Sequence, residues 1–259
     1  MLRLEHLHAG YRHQSILSDL SMHCMSQTIT AIVGPNGSGK STLLKAVAGL
    51  CEVSSGTILV NGIKKEQITS KDFAKQVAYL PQLHQGGAIS VWRMVLHGRF
   101  PHLGYPRRYQ KADFDHARRA LEQVGIYDLR DRNVDELSGG QRQKVFLAMA
   151  LATDANVLLL DEPTTYLDLK HQLEFMEVLK QLKEEHKTIV VVLHDFRHAM
   201  DIAQQIVVID QGKAVFQGSV AAFEESEVLK DVFHIAKRVV YDQKQNKYLQ
   251  FTLAQKEVE

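Results

Sequence analysis

The fold of this chain is decided by one stretch, which reads Gly34-Pro35-Asn36-Gly37-Ser38-Gly39-Lys40-Ser41 and is followed by Thr42. It fits the pattern G-x-x-x-x-G-K-S/T, in which glycines let the backbone wrap an anion so that several N–H groups point inward. Lys40 can supply a positive charge to the β- and γ-phosphates of a nucleotide, and the Ser41 hydroxyl can bind Mg²⁺. The stretch therefore predicts a phosphate-binding loop.

The residues on either side of the loop favour this interpretation over a chance Gly-Lys turn. Residues 28–33 form a short β-branched apolar run, which predicts a buried strand ahead of the loop. Behind the loop, a helix is predicted by apolar residues at helical spacing, namely Leu43, Leu44, Val47 and Leu50. Gly49 stands where that helix would end, and the N-terminal end of the helix would add positive charge to the anion site.

The composition is that of an ordinary globular protein, since 45% of the 259 residues are apolar and 24% are charged. Lysine and arginine number 31 against 30 aspartate and glutamate, so no basic field points to nucleic acid as a partner. Cys24 and Cys51 lack the spacing of metal ligands and are predicted to be small core residues. We expect neither a secretory signal nor a membrane span, because no apolar run approaches about 18 residues.

Strand signals dominate the first 80 residues of the chain. Residues 2–7 alternate apolar and polar side chains, which predicts an edge strand. Residues 57–60 predict a second strand, and Asn61-Gly62 behind it is a hairpin-turn signal. Val77–Leu80 predicts a further short strand, which Pro81 ends.

From about residue 83 to residue 152 the pattern changes to that of helices. One helix ends at Gly125 and has an apolar face made of Phe114, Ala117, Leu121 and Val124. A second helix starts near Ser138. These segments predict a helical insertion between two strand-rich parts of the chain.

After residue 152 the chain returns to strands alternating with helices. Val157–Leu160 and residues 188–193 predict buried strands, and residues 206–216 predict a hairpin. A helix between the two buried strands is predicted by Leu173, Met176, Leu179 and Leu182. This alternation predicts an α/β fold with a mainly parallel sheet covered on both faces. The polar tail after about Val239 predicts a terminal hairpin or a loosely held end.

Two carboxylates, Asp161 and Glu162, come directly after the predicted strand Val157–Leu160. In a parallel sheet, the ligand site lies at the carboxyl ends of the strands. At such a place Asp161 could hold Mg²⁺, and Glu162 could act as general base on an attacking water. A solvated acidic turn is the alternative for the dipeptide alone, and the upstream phosphate loop favours the functional interpretation.

A second glycine-rich site is indicated by the string Leu137-Ser138-Gly139-Gly140-Gln141. Ser138 is a good N-cap residue, and the glycines allow backbone N–H groups to approach an anion at a second positive helix end. A flexible turn before a helix is the alternative. Because the chain has a single phosphate loop, we expect the phosphate bound by this string to belong to another subunit.

The order of these motifs carries a resemblance to a known family. The phosphate loop is followed by Gln82, the string at residues 137–141, the two carboxylates, Asp168 and His194. In this order the chain resembles the nucleotide-binding subunit of ATP-binding cassette (ABC) transporters over about residues 2–233. The resemblance implies a P-loop NTPase (RecA-like) core with a mainly parallel sheet, an N-terminal antiparallel β subdomain and an inserted α-helical subdomain.

The resemblance also implies domain boundaries and a dimer. The cassette domain would cover residues 1–235, with the helical subdomain inserted at about 83–152 and a short C-terminal extension at 236–259. Two copies would form a head-to-tail dimer holding two ATP molecules with Mg²⁺. Each ATP would lie between residues 34–42 of one copy and residues 137–141 of the other.

Roles for four single residues follow from the same resemblance. Tyr11 matches the aromatic side chain that stacks on adenine, although a tyrosine that only packs beside a turn is the alternative. Gln82 matches the glutamine that reaches Mg²⁺ and the attacking water and reports to the membrane partner. Asp168 matches the loop that crosses the dimer. His194 matches the histidine that contacts the γ-phosphate and orients Glu162.

Weaker submotifs point to one branch of the family. Many cassettes have Ser or Ala at the position of Tyr166. The tyrosine found here instead resembles importers of iron–siderophore complexes, haem and cobalamin. Residues 89–91, residues 98–104 and the ending at residues 232–235 also resemble the iron–siderophore branch. The chain is therefore expected to be the ATPase subunit of a bacterial importer. It would lie at the cytoplasmic face of the membrane and work with transmembrane permease subunits and, indirectly, a substrate-binding protein.

Other members of the family remain as alternatives. Importer subunits for haem, cobalamin or a metal ion share the same motifs, and so does a soluble cassette ATPase of iron–sulfur cluster assembly. Cassette ATPases of translation usually carry two cassettes, which 259 residues cannot hold. Those of DNA repair carry long coiled coils, and no sustained heptads appear here.

The segment from Leu83 to Tyr105 is the expected docking surface for the permease. It follows Gln82, precedes the helix that carries Ser138, and is unusually apolar for a loop region. Some of its apolar residues must pack the core of the helical insertion. The remainder would form an exposed groove able to take a short helix from the membrane partner.

Overall fold

The computed structural model describes residues 1–12, 14–82, 87–165, 167–241 and 247–253. The strands are β1 Leu2–Tyr11, β2 Gln14–Cys24, β3 Ile29–Val33, β4 Glu52–Val60, β5 Ile63–Lys64, β6 Val77–Leu80, β7 Val157–Leu160, β8 Thr188–Val192, β9 Gln205–Asp210, β10 Lys213–Gly218, β11 Ile235–Tyr241 and β12 Lys247–Leu253. The α-helices are α1 Lys40–Ala48, α2 Ser70–Gln76, α3 Val91–Leu96, α4 Lys111–Gln123, α5 Gly139–Ala152, α6 Leu169–Glu184, α7 Phe196–Ile202, α8 Val220–Glu225 and α9 Val228–Phe233. The predictions about Tyr166, residues 83–86 and residues 242–246 lie outside the described residues.

A six-stranded sheet in the order β10-β9-β3-β8-β7-β6 forms the centre of the molecule. β3, β6, β7, β8 and β9 run parallel, and β10 pairs antiparallel with β9 in the predicted hairpin. Every residue of β3, β7 and β8 is buried, as expected for strands covered on both faces. The prediction of a mainly parallel α/β sheet is confirmed.

The second sheet is antiparallel and has the order β2-β1-β4-β5. Its β4–β5 turn is Asn61-Gly62, where both residues have positive φ values of 52° and 81°, as the turn signal predicts. The prediction that residues 2–7 form an edge strand is wrong, because β1 pairs with β2 on one side and β4 on the other. Alternation of polar and apolar side chains reports that one face of a strand is buried, and it does not report how many neighbours the strand has.

The helices α3, α4 and α5 lie in the chain between β6 and β7, where the helical insertion was expected. Ser138 is the N-cap of α5, as predicted, and α4 ends two residues before Gly125. Phe114 was expected on the apolar face of its helix, but 40% of its surface is exposed, and its ring stacks on that of Trp92. A methyl group on Gly98 would lie 2.1 Å from the Met149 carbonyl oxygen, so glycine permits the close approach to α5.

Two further core assignments are wrong for simple reasons of geometry. Leu50 lies beyond α1 with 59% of its surface exposed, because Gly49 ends the helix in the left-handed conformation at φ 79°. Leu173 is 51% exposed, and Phe175 takes the buried place on α6 beside Met176. The polar tail is a hairpin of β11 and β12, the first of the two predicted alternatives. In the described part of the chain, no helix is both long and apolar enough to span a membrane.

Candidate nucleotide-binding site

The predicted site residues meet at the carboxyl edge of the parallel sheet. The phosphate loop follows β3, His194 follows β8, Asp161 follows β7 and Gln82 follows β6. β3, β8, β7 and β6 are consecutive neighbours in the sheet, so their carboxyl ends lie side by side. This is the position at which ligands bind in open α/β sheets.

Lys40 is the first residue of α1, and its ammonium group points back onto the loop. Its Nζ donates to the carbonyl oxygens of Gly34 at 2.9 Å and Pro35 at 2.8 Å. Burial lowers the pKa of the Lys40 ammonium, and the nearby carboxylates Glu162 and Asp161 act in the opposite direction. The loop therefore holds a largely buried cation in place without a direct ion pair to a carboxylate among the described residues.

Asp161 connects the loop to the strand β7. Its Oδ1 accepts a hydrogen bond from the Ser41 hydroxyl at 2.8 Å, and its Oδ2 accepts one from the Tyr79 hydroxyl at 3.1 Å. Burial raises the pKa of Asp161, while the hydrogen bonds from Ser41 and Tyr79 work against that rise. A buried carboxylate beside a hydroxyl oxygen is a donor set of the kind that Mg²⁺ prefers.

Glu162 lies at the centre of a cluster of polar side chains. Its Oε2 accepts hydrogen bonds from Gln82 Nε2 and from the Thr165 hydroxyl, and it lies 2.7 Å from His194 Nε2. The Glu162 side chain is buried, whereas that of His194 is 43% exposed. The cluster fixes one carboxylate oxygen of Glu162 through several polar contacts and so defines the position of this carboxylate.

The residues around the loop fit a nucleotide phosphate and Mg²⁺. The N-cap of α1 is Gly39, which has φ 106° and no side-chain cap, and no acidic side chain lies in the first turn. No acidic side chain of the helix itself therefore offsets the positive end of α1. Ser38 Oγ is buried and has no hydrogen-bond partner within the described structure. A methyl group on Gly37 would meet nothing within 4 Å, which leaves the mouth of the loop open.

The remaining predicted residues lie away from this cluster. Ser138 and Gln141 form a capping box at the start of α5, and Asp168 is the N-cap of α6. Among the described residues, no hydrogen bond or ion pair joins either segment to the phosphate loop. Tyr11 is exposed at the end of β1, on the sheet whose strand β2 contacts Gly39 through Leu17. A single chain therefore assembles only part of the predicted constellation.

Two contacts at the site involve residues that the sequence pattern did not single out. Tyr79 is an ordinary strand residue by pattern, yet its hydroxyl binds Asp161 because β6 and β7 pair in parallel. Thr165 lies three residues after Glu162 and binds the same carboxylate oxygen as Gln82. The contact of Thr165 could have been predicted from its position three residues after Glu162 in the following turn. The contact of Tyr79 could be predicted only if the register of β6 and β7 were known.

Known proteins resemble this chain over nearly its whole length. A sequence profile described as ABC transporter matches residues 17–165. The iron(3+)-hydroxamate import ATP-binding protein FhuC of Bacillus subtilis is 39% identical over 95% of this chain and 92% of its own length. The ferric enterobactin transport ATP-binding protein FepC of Escherichia coli is 35% identical over 93% of this chain and 90% of its own. The manganese transport system ATP-binding protein MntB of Bacillus subtilis is 35% identical over 83% of this chain and 85% of its own.

Solved structures agree with the fold. An ABC transporter described as metal-chelate type, in an inward-facing conformation, is 27% identical and covers 98% of both chains with a TM-score of 0.83. The dimeric post-hydrolysis state of the ATP-binding cassette MJ0796, bound to ADP and Pi, is 25% identical over 85% of this chain and 99% of its own, with a TM-score of 0.74. The predicted P-loop fold with an antiparallel N-terminal sheet is confirmed by these likenesses.

Proposed function

This chain belongs to the ABC transporter family, and from that membership we propose that it is the ATP-hydrolysing subunit of a bacterial importer of iron–siderophore complexes. The observation that carries the proposal is the 39% identity to FhuC over 95% of the chain. The relatives CbrD, FepC and FpuD, whose names refer to achromobactin, ferric enterobactin and petrobactin, are 35–38% identical over at least 90% of the chain.

The phosphate loop binds the nucleotide in this proposal. Backbone N–H groups of residues 34–42 and the positive end of α1 surround the phosphates, and Lys40 turns from its carbonyl partners to the β- and γ-phosphates. Ser41, Asp161 and Gln82 would hold Mg²⁺, which, when bound, would neutralise charge on the phosphates. The support for this assignment is the donor set described above and the open mouth of the loop.

Glu162 activates the attacking water. Its carboxylate accepts the proton of the water as the oxygen attacks the γ-phosphorus, and the bond to the β–γ bridging oxygen breaks to leave ADP and phosphate. His194, 2.7 Å from Glu162 Oε2, orients the carboxylate and reaches toward the γ-phosphate. Gln82 donates a hydrogen bond to the same oxygen. In this proposal, a change in the contacts of Gln82 on nucleotide binding would be transmitted to the membrane partner.

The complete site is composite. Two copies associate head to tail, so that residues 137–141 and Asp168 of one copy approach the nucleotide on the loop of the other. This accounts for two observations on the single chain: the start of α5 at Ser138 is a capped helix N-terminus, and no hydrogen bond or ion pair among the described residues joins it to the phosphate loop of its own chain.

Tyr11, on the antiparallel sheet, would stack on the adenine of the nucleotide.

The permease docks on a surface that includes part of the segment from Leu83 to Tyr105. In the described part of this segment, Val91, Val95, Leu96 and Leu103 are buried and serve the core, whereas Phe100 and Tyr105 are exposed. The segment adjoins α2 through the Lys71 Nζ bond to the Leu103 carbonyl at 2.9 Å. α2 forms one wall of a cleft of about 690 Å³, which is lined by the apolar side chains of Leu50, Ile68 and Phe73 and also by Lys65 and Glu66.

A short helix of the permease fits this surface, and movement of the helical insertion on ATP binding would transmit force to it. The chain would then be a peripheral protein of the cytoplasmic membrane face, with a substrate-binding protein acting on the far side of the permease. Single cysteines across the described residues 89–105 should crosslink to the permease's cytoplasmic loops in an ATP-dependent way. Crosslinks confined to the β11–β12 hairpin would contradict this docking site.

Uptake measurements test the proposed cargo. Deleting the chain should abolish uptake of a ⁵⁵Fe-labelled ferric siderophore and slow growth under iron restriction, and the wild-type chain should restore both, whereas Glu162→Gln should restore neither. Uptake of haem, cobalamin and ⁵⁴Mn²⁺ serves as the control. Because MntB, a manganese transport ATP-binding protein, is 35% identical to this chain, manganese is the alternative cargo most in need of measurement. Loss of haem, cobalamin or manganese uptake with unchanged siderophore uptake would assign the cargo to that alternative.

Copurification with soluble scaffold proteins and no membrane subunit would favour a role in iron–sulfur cluster assembly.

A further inference from the structure

His171 lies between two segments that the proposed dimer presents to the partner's nucleotide. It is in the first turn of α6, three residues after Asp168. Its backbone N–H donates to Asp168 Oδ1 at 2.9 Å, and its ring Nδ1 lies 2.7 Å from the same oxygen. One carboxylate oxygen of Asp168 is therefore held by both the backbone and the ring of His171. The hydrogen bonds from the backbone and the ring of His171 lower the pKa of the Asp168 carboxyl below its ordinary value.

The same imidazole ring lies against the start of α5. A methyl group built on Gly140 would lie 2.9 Å from Cδ2 and 3.0 Å from Cγ of His171. Such contacts are shorter than real methyl groups make, so the ring occupies the space that a side chain at position 140 would need. Gly140 belongs to the string at residues 137–141, so His171 touches both segments of the proposed interface.

An ion pair extends the contact between the two helices. Lys144 Nζ of α5 lies 2.7 Å from Glu174 Oε2 of α6, one turn further along each helix. Lys144 and Lys170 both contribute positive charge near Glu174. Within the described chain no group of His, Cys, Asp or Glu is placed to hold a metal ion, so His171 and Asp168 do not form a metal site.

We propose that His171 is a positioning residue that keeps Asp168 and the start of α5 in a fixed relation, so that both reach the partner's nucleotide together. The proposal rests on the composite dimer proposed above. Ser138 and Asp168 lie on two different helices, and a dimer interface that closes over one nucleotide needs both at once. Misplacement of such groups by about 1 Å can cost a factor of about 100 in rate.

The test uses the full chain with Glu162→Gln as parent, because that variant should hold ATP without hydrolysing it. Dimer formation is followed by light scattering as ATP is added, and ATP binding to the monomer is followed by a fluorescent analogue. His171→Ala should leave monomer binding unchanged and require about tenfold more ATP for dimer formation. With Glu162 intact, His171→Ala should lower kcat about tenfold and also raise the KM for ATP, because hydrolysis needs the dimer, which forms only at higher ATP. His171→Asn, which keeps a donor for Asp168, should recover part of the dimer formation.

Lys170→Ala is the matched control, since Lys170 neighbours His171 on the same turn and is largely exposed. It should behave as the parent in every measurement. A His171→Ala protein that forms the dimer at the parent's ATP concentration and hydrolyses ATP at the wild-type kcat would overturn the role of His171. An unchanged defect in His171→Asn would assign the effect to the ring against Gly140 alone, which contradicts the joint role. If the Glu162→Gln parent itself forms no ATP-bound dimer, the composite dimer fails first, and the role of His171 with it.

Discussion

Glu162 has an unusual backbone conformation as well as several polar partners. Its φ is 48°, a left-handed value that side-chain-bearing residues adopt at a cost of about 1 kcal/mol or more. The carboxylate that this conformation presents is buried and receives Gln82, Thr165 and His194 on one oxygen. A strained residue whose side chain is held by donors at a sheet edge is typical of a catalytic position.

Glu162→Gln should retain ATP binding and slow hydrolysis by a factor of about 100 or more, because an amide cannot accept the proton of the attacking water. The ATP-bound dimer should then accumulate, visible as a larger species on size-exclusion chromatography with ATP. Glu184→Gln, at the exposed end of α6, should hydrolyse ATP at the wild-type rate. Full turnover in Glu162→Gln would show that another group takes the proton.

Lys40→Ala should weaken ATP binding by a factor of about 10 to 100, the cost of losing charge-assisted hydrogen bonds to phosphate. Isothermal titration with a slowly hydrolysed ATP analogue measures the affinity. The control is Lys64→Ala, since Lys64 is an exposed lysine on β5, a strand of the antiparallel sheet and not of the sheet whose β3 leads into the loop. Unchanged affinity in Lys40→Ala would remove the lysine from the phosphate site.

At this scale the sequence predicts residues that are close together in the chain and misses contacts that depend on strand pairing. Lys40 and Ser41 follow from the loop motif, and Asp161 and Glu162 from the strand before them. Tyr79 reaches Asp161 across 82 residues of chain, because β6 and β7 are neighbours with a particular register. No local pattern in a single sequence indicates that β6 and β7 are neighbours, or in which register they pair.

Among the elements, the helical insertion depends on a buried ion pair. Arg99 Nε lies 3.0 Å from Asp113 Oδ1, and the two side chains are only 6% and 9% exposed. Burial alone would raise the pKa of Asp113, but the Gln110 backbone N–H and the Arg99 guanidinium outweigh it and lower that pKa. Arg99 also donates to the Ala152 carbonyl at the end of α5, so the pair joins α4 to α5.

Asp113→Asn should lower the free energy of unfolding by about 3 kcal/mol, because it leaves the Arg99 charge buried and unpaired. The lowered pKa means that the stabilising effect of Asp113 is present above its ordinary pKa of 3.8 and is lost as the pH falls through the lowered value. The difference between the proteins should thus be constant near neutral pH and shrink in acid. Urea unfolding followed by fluorescence measures it, since Trp92 is the single tryptophan and stacks on Phe114 of α4.

Asp115→Asn is the control for this measurement, because Asp115 is exposed on the same helix. Its free energy of unfolding should differ from that of the wild type by less than about 0.5 kcal/mol. Equal stability of the Asp113→Asn and Asp115→Asn proteins would mean that the buried pair contributes nothing to the packing of α4 on α5.

The elements themselves could be predicted where one physical signal decided them. The apolar run before the loop gave β3, the Ser138 cap gave the start of α5, and Asn61-Gly62 gave the β4–β5 turn. The errors arose where tertiary packing decides. Leu173 has the helical spacing of a core residue, yet the buried face of α6 includes Phe175 and leaves Leu173 exposed.

At the scale of the whole molecule, one chain carries two half-sites, which the proposed dimer would combine with those of a second copy. The phosphate loop and Glu162 lie at the carboxyl edge of the parallel sheet, and the glycine string and Asp168 lie at the starts of α5 and α6. In the two-fold symmetric dimer proposed above, each half on one copy would meet the complementary half on the other, so two identical sites would form. The sequence predicted this arrangement from one phosphate loop and two phosphate-binding helix ends.

Mixing two inactive variants tests this claim most directly. Ser138→Arg should bind ATP as a monomer yet hydrolyse none, because its bulk and charge obstruct the partner's γ-phosphate pocket, and Lys40→Ala should be inactive for lack of a competent loop. A mixed dimer joins the intact loop of the first variant to the intact Ser138 of the second. An equimolar mixture should therefore recover about a quarter of the wild-type ATP hydrolysis rate if pairing is random. Recovery of no activity at any mixing ratio, or loss of monomer ATP binding in Ser138→Arg, would contradict the composite site.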